Sequence, residues 1–128
     1  MKSTLLVVDD DEVMILLLKK LFEKKYNVYT ASDGVEAIHR LSQGVMPDLI
    51  LCDIFMENIN GYEFIKHLTT SIIYKNIPVI VLSGVSKVEL SPQLPPLLKI
   101  MKKPFDPLQL VNVVETTILK TYDINFLQ

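Results

Sequence analysis

The chain has 128 residues, of which 49% are hydrophobic and 22% charged, with a formal net charge of -2. That length supports one domain around a single core. The scattered lysines and arginines argue against a nucleic-acid face, and the apolar runs stop far short of the roughly 18 residues that cross a membrane.

The elements follow in chain order. Residues 5–8 (LLVV) are expected to form a buried strand that runs directly into Asp9, Asp10 and Asp11. Asp9 also interrupts the apolar run too early for a secretory leader, and Cys52 is the single cysteine, so no internal disulfide forms and the expected compartment is the cytoplasm. Residues 13–25 have a helical pattern, with Asp11 or Glu12 at the positive end. Residues 28–31 form a second strand and 35–41 a second helix, with Ala37, Ile38 and Leu41 on one face. Gly44 ends that helix and Pro47 prevents its continuation. Residues 48–54 are a third strand, apolar through the middle and carrying Asp53 near its end. Gly61 opens a third helix that buries Phe64, Ile65 and Leu68.

Residues 77–83 are a fourth strand ending at Ser83, and 99–102 a fifth leading to Lys103. Pro107 suits the first turn of a last helix over 107–121, leaving 122–128 as a short tail and 1–121 as the domain. Between strands four and five, Pro92, Pro95 and Pro96 fall where a helix would run. Proline in a helix interior costs about 3 kcal/mol, so at most one helical turn and then an irregular loop is expected there. A strand–helix unit repeated in this way, with strands apolar on both faces, implies an α/β fold: a five-stranded parallel sheet with helices on both sides.

In such sheets functional groups gather outside the carboxyl ends of the strands. That rim would bring together Asp9 and Asp10, Asp53, Ser83 and Lys103. Three carboxylates within a few ångströms raise one another's pKa unless a cation joins them. An all-oxygen set favours Mg²⁺ over zinc, which prefers His or Cys. A lysine ammonium and a serine hydroxyl suit phosphoryl oxygens, and a free carboxylate can serve as the nucleophile. Taken singly, each signal has an ordinary reading: acidic residues after a strand favour the next helix's start, and Ser83 before Gly84 resembles a turn serine. Asp11 reads as a helix-start residue, Cys52 as an inert core residue, and His39 and His67 as surface residues.

The segments VVDDDE, LILCDIFMENINGYEF, VIVLSG and KKPF together resemble the response-regulator receiver domain of two-component signalling, across residues 5 to about 120. The resemblance implies a flavodoxin-like topology and a signalling switch that assists only its own phosphorylation and dephosphorylation. It implies that Asp53 accepts a phosphoryl group from a histidine kinase or histidine phosphotransfer protein. Asp10 would bind Mg²⁺ directly, Asp9 mostly through water, and the backbone carbonyl of Phe55 would complete the metal site. Ser83 and Lys103 would contact the phosphoryl group, and the Lys103–Pro104 bond would be cis. The output partner is unspecified, and a monomer or weak dimer is expected.

Three positions depart from the family pattern. Ile100 stands where an aromatic switch residue is usual. Glu57 replaces a common proline and adds charge near the metal site. The Pro-rich 91–96 segment falls on the face used for output and dimerisation. The first helix carries more apolar residues than one face needs. Met14, Leu17, Leu18 and Leu21 are assigned to the core, which leaves Ile15 and Leu16 outward as a docking surface for the phosphoryl donor, with Pro104 and Phe105 nearby. Two rivals remain in view. A pseudo-receiver would keep the fold as a binding module without phosphate switching. An aspartate-nucleophile phosphatase would need a second aspartate where Phe55 stands.

Overall fold

The structure is a computed structural model and describes residues 2–54, 56, 60–84 and 98–127, with side chains through residue 121. Its elements run β1 (Thr4–Val8), α1 (Glu12–Phe22), β2 (Asn27–Ala31), α2 (Gly34–Ser42), β3 (Leu49–Asp53), α3 (Gly61–Thr69), β4 (Val79–Ser83), β5 (Lys99–Lys102) and α4 (Pro107–Leu127). All pairings are parallel, in the order β2-β1-β3-β4-β5. The expected α/β architecture is therefore present. The helix expected to be broken by prolines, together with Glu57 and Phe55, lies outside the described residues.

Strand alternation divides the core in two. Leu5 and Val7 of β1, Leu49 and Leu51 of β3, and Ile80 and Leu82 of β4 pack against Leu18 and Phe22 of α1 and Leu110, Val114 and Ile118 of α4. Leu6, Val8, Ile50, Cys52, Val79 and Val81 point the other way, against Ala37 and Leu41 of α2 and Phe64, Ile65 and Leu68 of α3. Each such side chain contributes about 1.5–3 kcal/mol by leaving water, so the sheet is fixed from both faces.

Short polar side chains start the helices. Asp11, Asp33 and Asn60 accept from the backbone N–H groups of Val13, Glu36 and Glu63. Asp106 does the same for α4, taking the N–H of Leu108 at 2.9 Å. Gly44, at φ 98°, lets the chain turn back after α2.

Three expectations are corrected. Helix α1 ends at Phe22, three residues before the expected end. Leu17, assigned to the core, is 46% exposed, whereas Phe22 is buried. Helix α4 continues to Leu127, so residues 122–127 extend the helix instead of forming a separate tail. No Gly or Pro lies in that stretch to stop it.

Candidate metal centre at the sheet rim

The chain passes from β1 outward to β2, then returns across β1 to place β3 on its other side. The carboxyl ends of β1 and β3 are thus neighbours at the point where strand order reverses, the usual crevice of a doubly wound sheet. β1 runs straight into Asp9, whose N–H donates to Ala31 O at 3.1 Å, and β3 ends on Asp53. One carboxylate oxygen from each of Asp9, Asp10 and Asp53 lies within 4.8 Å of the other two.

The three consecutive aspartates do separate jobs. Asp9 is buried at 2% exposure. Its Oδ1 accepts the Asp11 N–H at 2.9 Å, and its Oδ2 pairs with Lys103 Nζ at 3.1 Å. Asp10 is exposed at the mouth of the cluster. Asp11 faces away as the cap of α1. Lys103 Nζ is also 3.7 Å from Asp53 Oδ2. Among the described residues, three carboxylates face one ammonium, a surplus of negative charge at one point. That surplus, and an all-oxygen donor set open to solvent through Asp10, fit a hard divalent cation.

Ser83 lies one residue past Leu82, the register partner of Asp53, and is fully buried. Its carbonyl accepts the Lys103 N–H at 2.7 Å, which fixes the start of the lysine to the end of β4. The Lys103–Pro104 bond is cis, as the resemblance implied. Ile100 is half-buried, pairs with Val81 and packs on the α2–α3 side of the core. Cys52, buried behind Asp53, donates its thiol to the Asp53 carbonyl at 3.1 Å. Burial, reinforced by the Asp53 and Asp9 carboxylates, pushes that thiol far above its ordinary range.

Gly61 does more than open a helix. Gly61 N donates to Ile54 O at 2.8 Å, closing the loop that follows β3. A Cβ at Gly61 would lie 2.6 Å from Ile54 Cα and closer still to the Asp53 carbonyl oxygen. The missing side chain is what lets α3 begin directly against the Asp53 backbone.

Beside the rim, α1 and the start of α4 expose apolar side chains: Val13 at 74%, Leu16 at 61%, Leu17 at 46% and Leu108 at 74%. Ile15 is half-buried, so it contributes less to this surface than expected. Pro104 is exposed, and Phe105 is half-buried against the α1–α4 core.

Sheet order and rim together define a doubly wound α/β protein with an acidic, lysine-bridged crevice. The response regulator receiver domain model matches residues 5–115, and the chain belongs to that family, the receiver of two-component systems. It is 33% identical over 133 residues to the response regulator GtcR of Aneurinibacillus migulanus, a match covering 98% of this chain and 51% of that protein. It is 34% identical over 83 residues to hybrid signal transduction histidine kinase D of Dictyostelium discoideum, covering 65% of this chain and 5% of that one. The chain therefore spans at most about half the length of these relatives. Among solved structures it resembles the Francisella response regulator 1452 receiver domain, with TM-score 0.83, 28% identity, and coverage of 94% of this chain and 99% of that one. It also resembles the Vibrio cholerae chemotaxis protein CheY4, with TM-score 0.79, 26% identity, and coverage of 91% and 98%. No helix among the described residues is long and apolar enough to cross a membrane.

Proposed function

We propose that this receiver accepts a phosphoryl group on Asp53 from the phosphohistidine of a histidine kinase or histidine phosphotransfer protein, and that the modification changes its affinity for an output partner. The observation that carries the reading is the meeting of Asp9, Asp10 and Asp53 with the Lys103 ammonium at one sheet rim. An Asp53 carboxylate oxygen attacks phosphorus. The phosphorus–nitrogen bond breaks, and the imidazole keeps the electron pair and later takes a proton from solvent. Asp9, Asp10, Asp53 and the Phe55 carbonyl would hold Mg²⁺, which when bound neutralises the carboxylates and the incoming phosphoryl oxygens. Lys103 brings a compact charge to a phosphoryl oxygen, and the Ser83 hydroxyl donates to another. With isoleucine at position 100, the response runs through Ser83 and the segment after it, without an aromatic ring turning inward.

The test is incubation with acetyl phosphate and Mg²⁺, read by intact mass. One phosphoryl group should be gained, and none by Asp53→Asn or in excess chelator. Failure of the native chain to gain it would leave a binding module that keeps the fold without the chemistry, a reading that Ile100 favours. The apolar face of Val13, Leu16 and Leu17 supports docking of the donor's helices beside the rim. Leu16→Lys should slow transfer from a phosphorylated histidine protein about tenfold and leave acetyl phosphate labelling unchanged, one lost apolar anchor being worth roughly that much. Equal slowing with both donors would remove the docking role.

A further inference from the structure

At the end of the sheet opposite the acidic rim, the molecule holds a cavity of about 470 Å³ between α3, the entrances of β4 and β5, and α4. That is within the size range of small-molecule sites. Its floor is apolar, with Leu68, Ile77, Val79 and Leu98 among the residues that line it. Three lysines line it as well, Lys75, Lys99 and Lys120, and no Asp or Glu does among the described residues. The chain as a whole has 15 acidic and 13 basic residues, so an all-cationic wall goes against its overall balance.

One of the three ammonium groups is held in place. Lys99 Nζ donates to Thr117 Oγ1 at 2.8 Å, and Thr117, on α4, is 7% exposed. Lys99 makes no ion pair with a carboxylate among the described residues. A lysine free in solvent would lose side-chain entropy by settling on a hydroxyl. Lys99 is itself solvent-exposed, so this hydrogen bond leaves its ammonium at the mouth of the cavity, with two further N–H donors to offer. An apolar floor, a fixed cation and two more lysines together describe an amphipathic anion.

We propose that this cavity binds a small amphipathic anion, a single carboxylate or phosphate head on a short apolar body. The head pairs with Lys99 and the neighbouring lysines, and the body covers the half-buried Ile77 and Leu98, above the buried Leu68 and Val79. The site is separate from the acidic rim and does not depend on phosphorylation of Asp53. Octanoate is a suitable probe, and at its size roughly millimolar affinity is expected. Titration of the full chain, followed by backbone amide chemical shifts, should give saturable changes confined to residues 75–79, 98–99 and 117–121. Octanol and octylamine should bind at least tenfold more weakly. Lys99→Met should weaken octanoate about tenfold with the amide spectrum otherwise intact, the loss expected for one charge-assisted contact. If that variant does not fold, Lys120→Met, which changes an exposed helix position, provides the same comparison. Absence of saturable shifts, equal binding of octylamine, shifts mapping elsewhere, or unchanged affinity in the foldable lysine variant would each overturn the proposal.

Discussion

Replacing Gly61 by alanine tests whether the backbone behind Asp53 has any slack. The new methyl carbon would sit 2.6 Å from Ile54 Cα and closer to the Asp53 carbonyl oxygen. Both are main-chain atoms, so no rotamer change relieves the contact. Forced overpacking of this kind costs about 1–3 kcal/mol. Alanine returns about 0.4–1 kcal/mol by restricting the unfolded chain, so the net loss is about 1–2 kcal/mol. For a domain of 128 residues, an unfolding entropy of about 2.1 cal/mol/K per residue converts that loss to a fall of about 4–7 °C in Tm. The displaced atoms belong to Asp53 itself, so acetyl phosphate labelling at saturating Mg²⁺ should slow at least about tenfold, since catalytic geometry off by a fraction of an ångström is costly. Gly84→Ala is the control, because a Cβ there meets nothing within 4 Å among the described residues. Thermal denaturation and initial labelling rates measure both effects. A Gly61→Ala protein as stable as Gly84→Ala would refute the steric reasoning. A lower Tm with an unchanged labelling rate would refute the link from that backbone to the Asp53 carboxylate.

Removing the Lys103 charge leaves the buried Asp9 without its ion pair, so Lys103→Met should lose about 3 kcal/mol in metal-free buffer, by the usual cost of stranding a buried charge. Added Mg²⁺ should restore more stability to this variant than to wild type, as read by urea denaturation; equal recovery would count against a shared cation site. The Ser32 hydroxyl and backbone N–H hold the Glu36 carboxylate below its usual range. A depressed folded pKa contributes stability above the ordinary carboxylate value of about 4.3, lost as pH falls below it. Glu36→Gln should therefore show a shallower loss of stability than wild type between about pH 5 and pH 3; parallel curves would contradict it. Finally, Cys52 is buried with its thiol pushed far upward, so iodoacetamide at pH 8 should modify it only as fast as the protein opens. Rapid labelling of the folded chain would show that β3 is not packed as described.

The sheet and its rim were largely legible in the sequence. Short β-branched runs ending in Asp9, Asp53 and Ser83 required little tertiary knowledge, because a parallel strand buried on both faces has few polar positions available. Helix α1 was harder. Val13, Met14, Ile15, Leu16, Leu17 and Leu18 are consecutive, so the apolar pattern gives no unique phase. The phase is set by tertiary packing of Leu18 and Phe22 against β1 and α4, which turns Leu17 toward solvent. Gly61 carried a faint signal, a glycine at the first helical position after a good Asn cap where alanine would be the better helix former. Its reason lies in Asp53 and Ile54, contacts across a loop that periodicity does not encode. The cavity walled by Lys75, Lys99 and Lys120 draws on three elements far apart in sequence and had no local signature at all.

Lys103 follows an edge strand, yet its ammonium reaches Asp9 at the end of β1, three places away in the sheet. Three spacings of about 4.8 Å come to about 14 Å, more than a lysine side chain spans alone, so the distance is shared by the backbone at Lys103, held to the end of β4 by the Ser83 carbonyl, and by the side chains of Lys103 and Asp9. The spacing of the charged groups is thus graduated by main-chain pitch, a length that side-chain repacking barely alters. Core substitutions should therefore change how long this protein stays folded far more readily than they change the gauge of its charged crevice, and the two properties could drift independently as such proteins diverge.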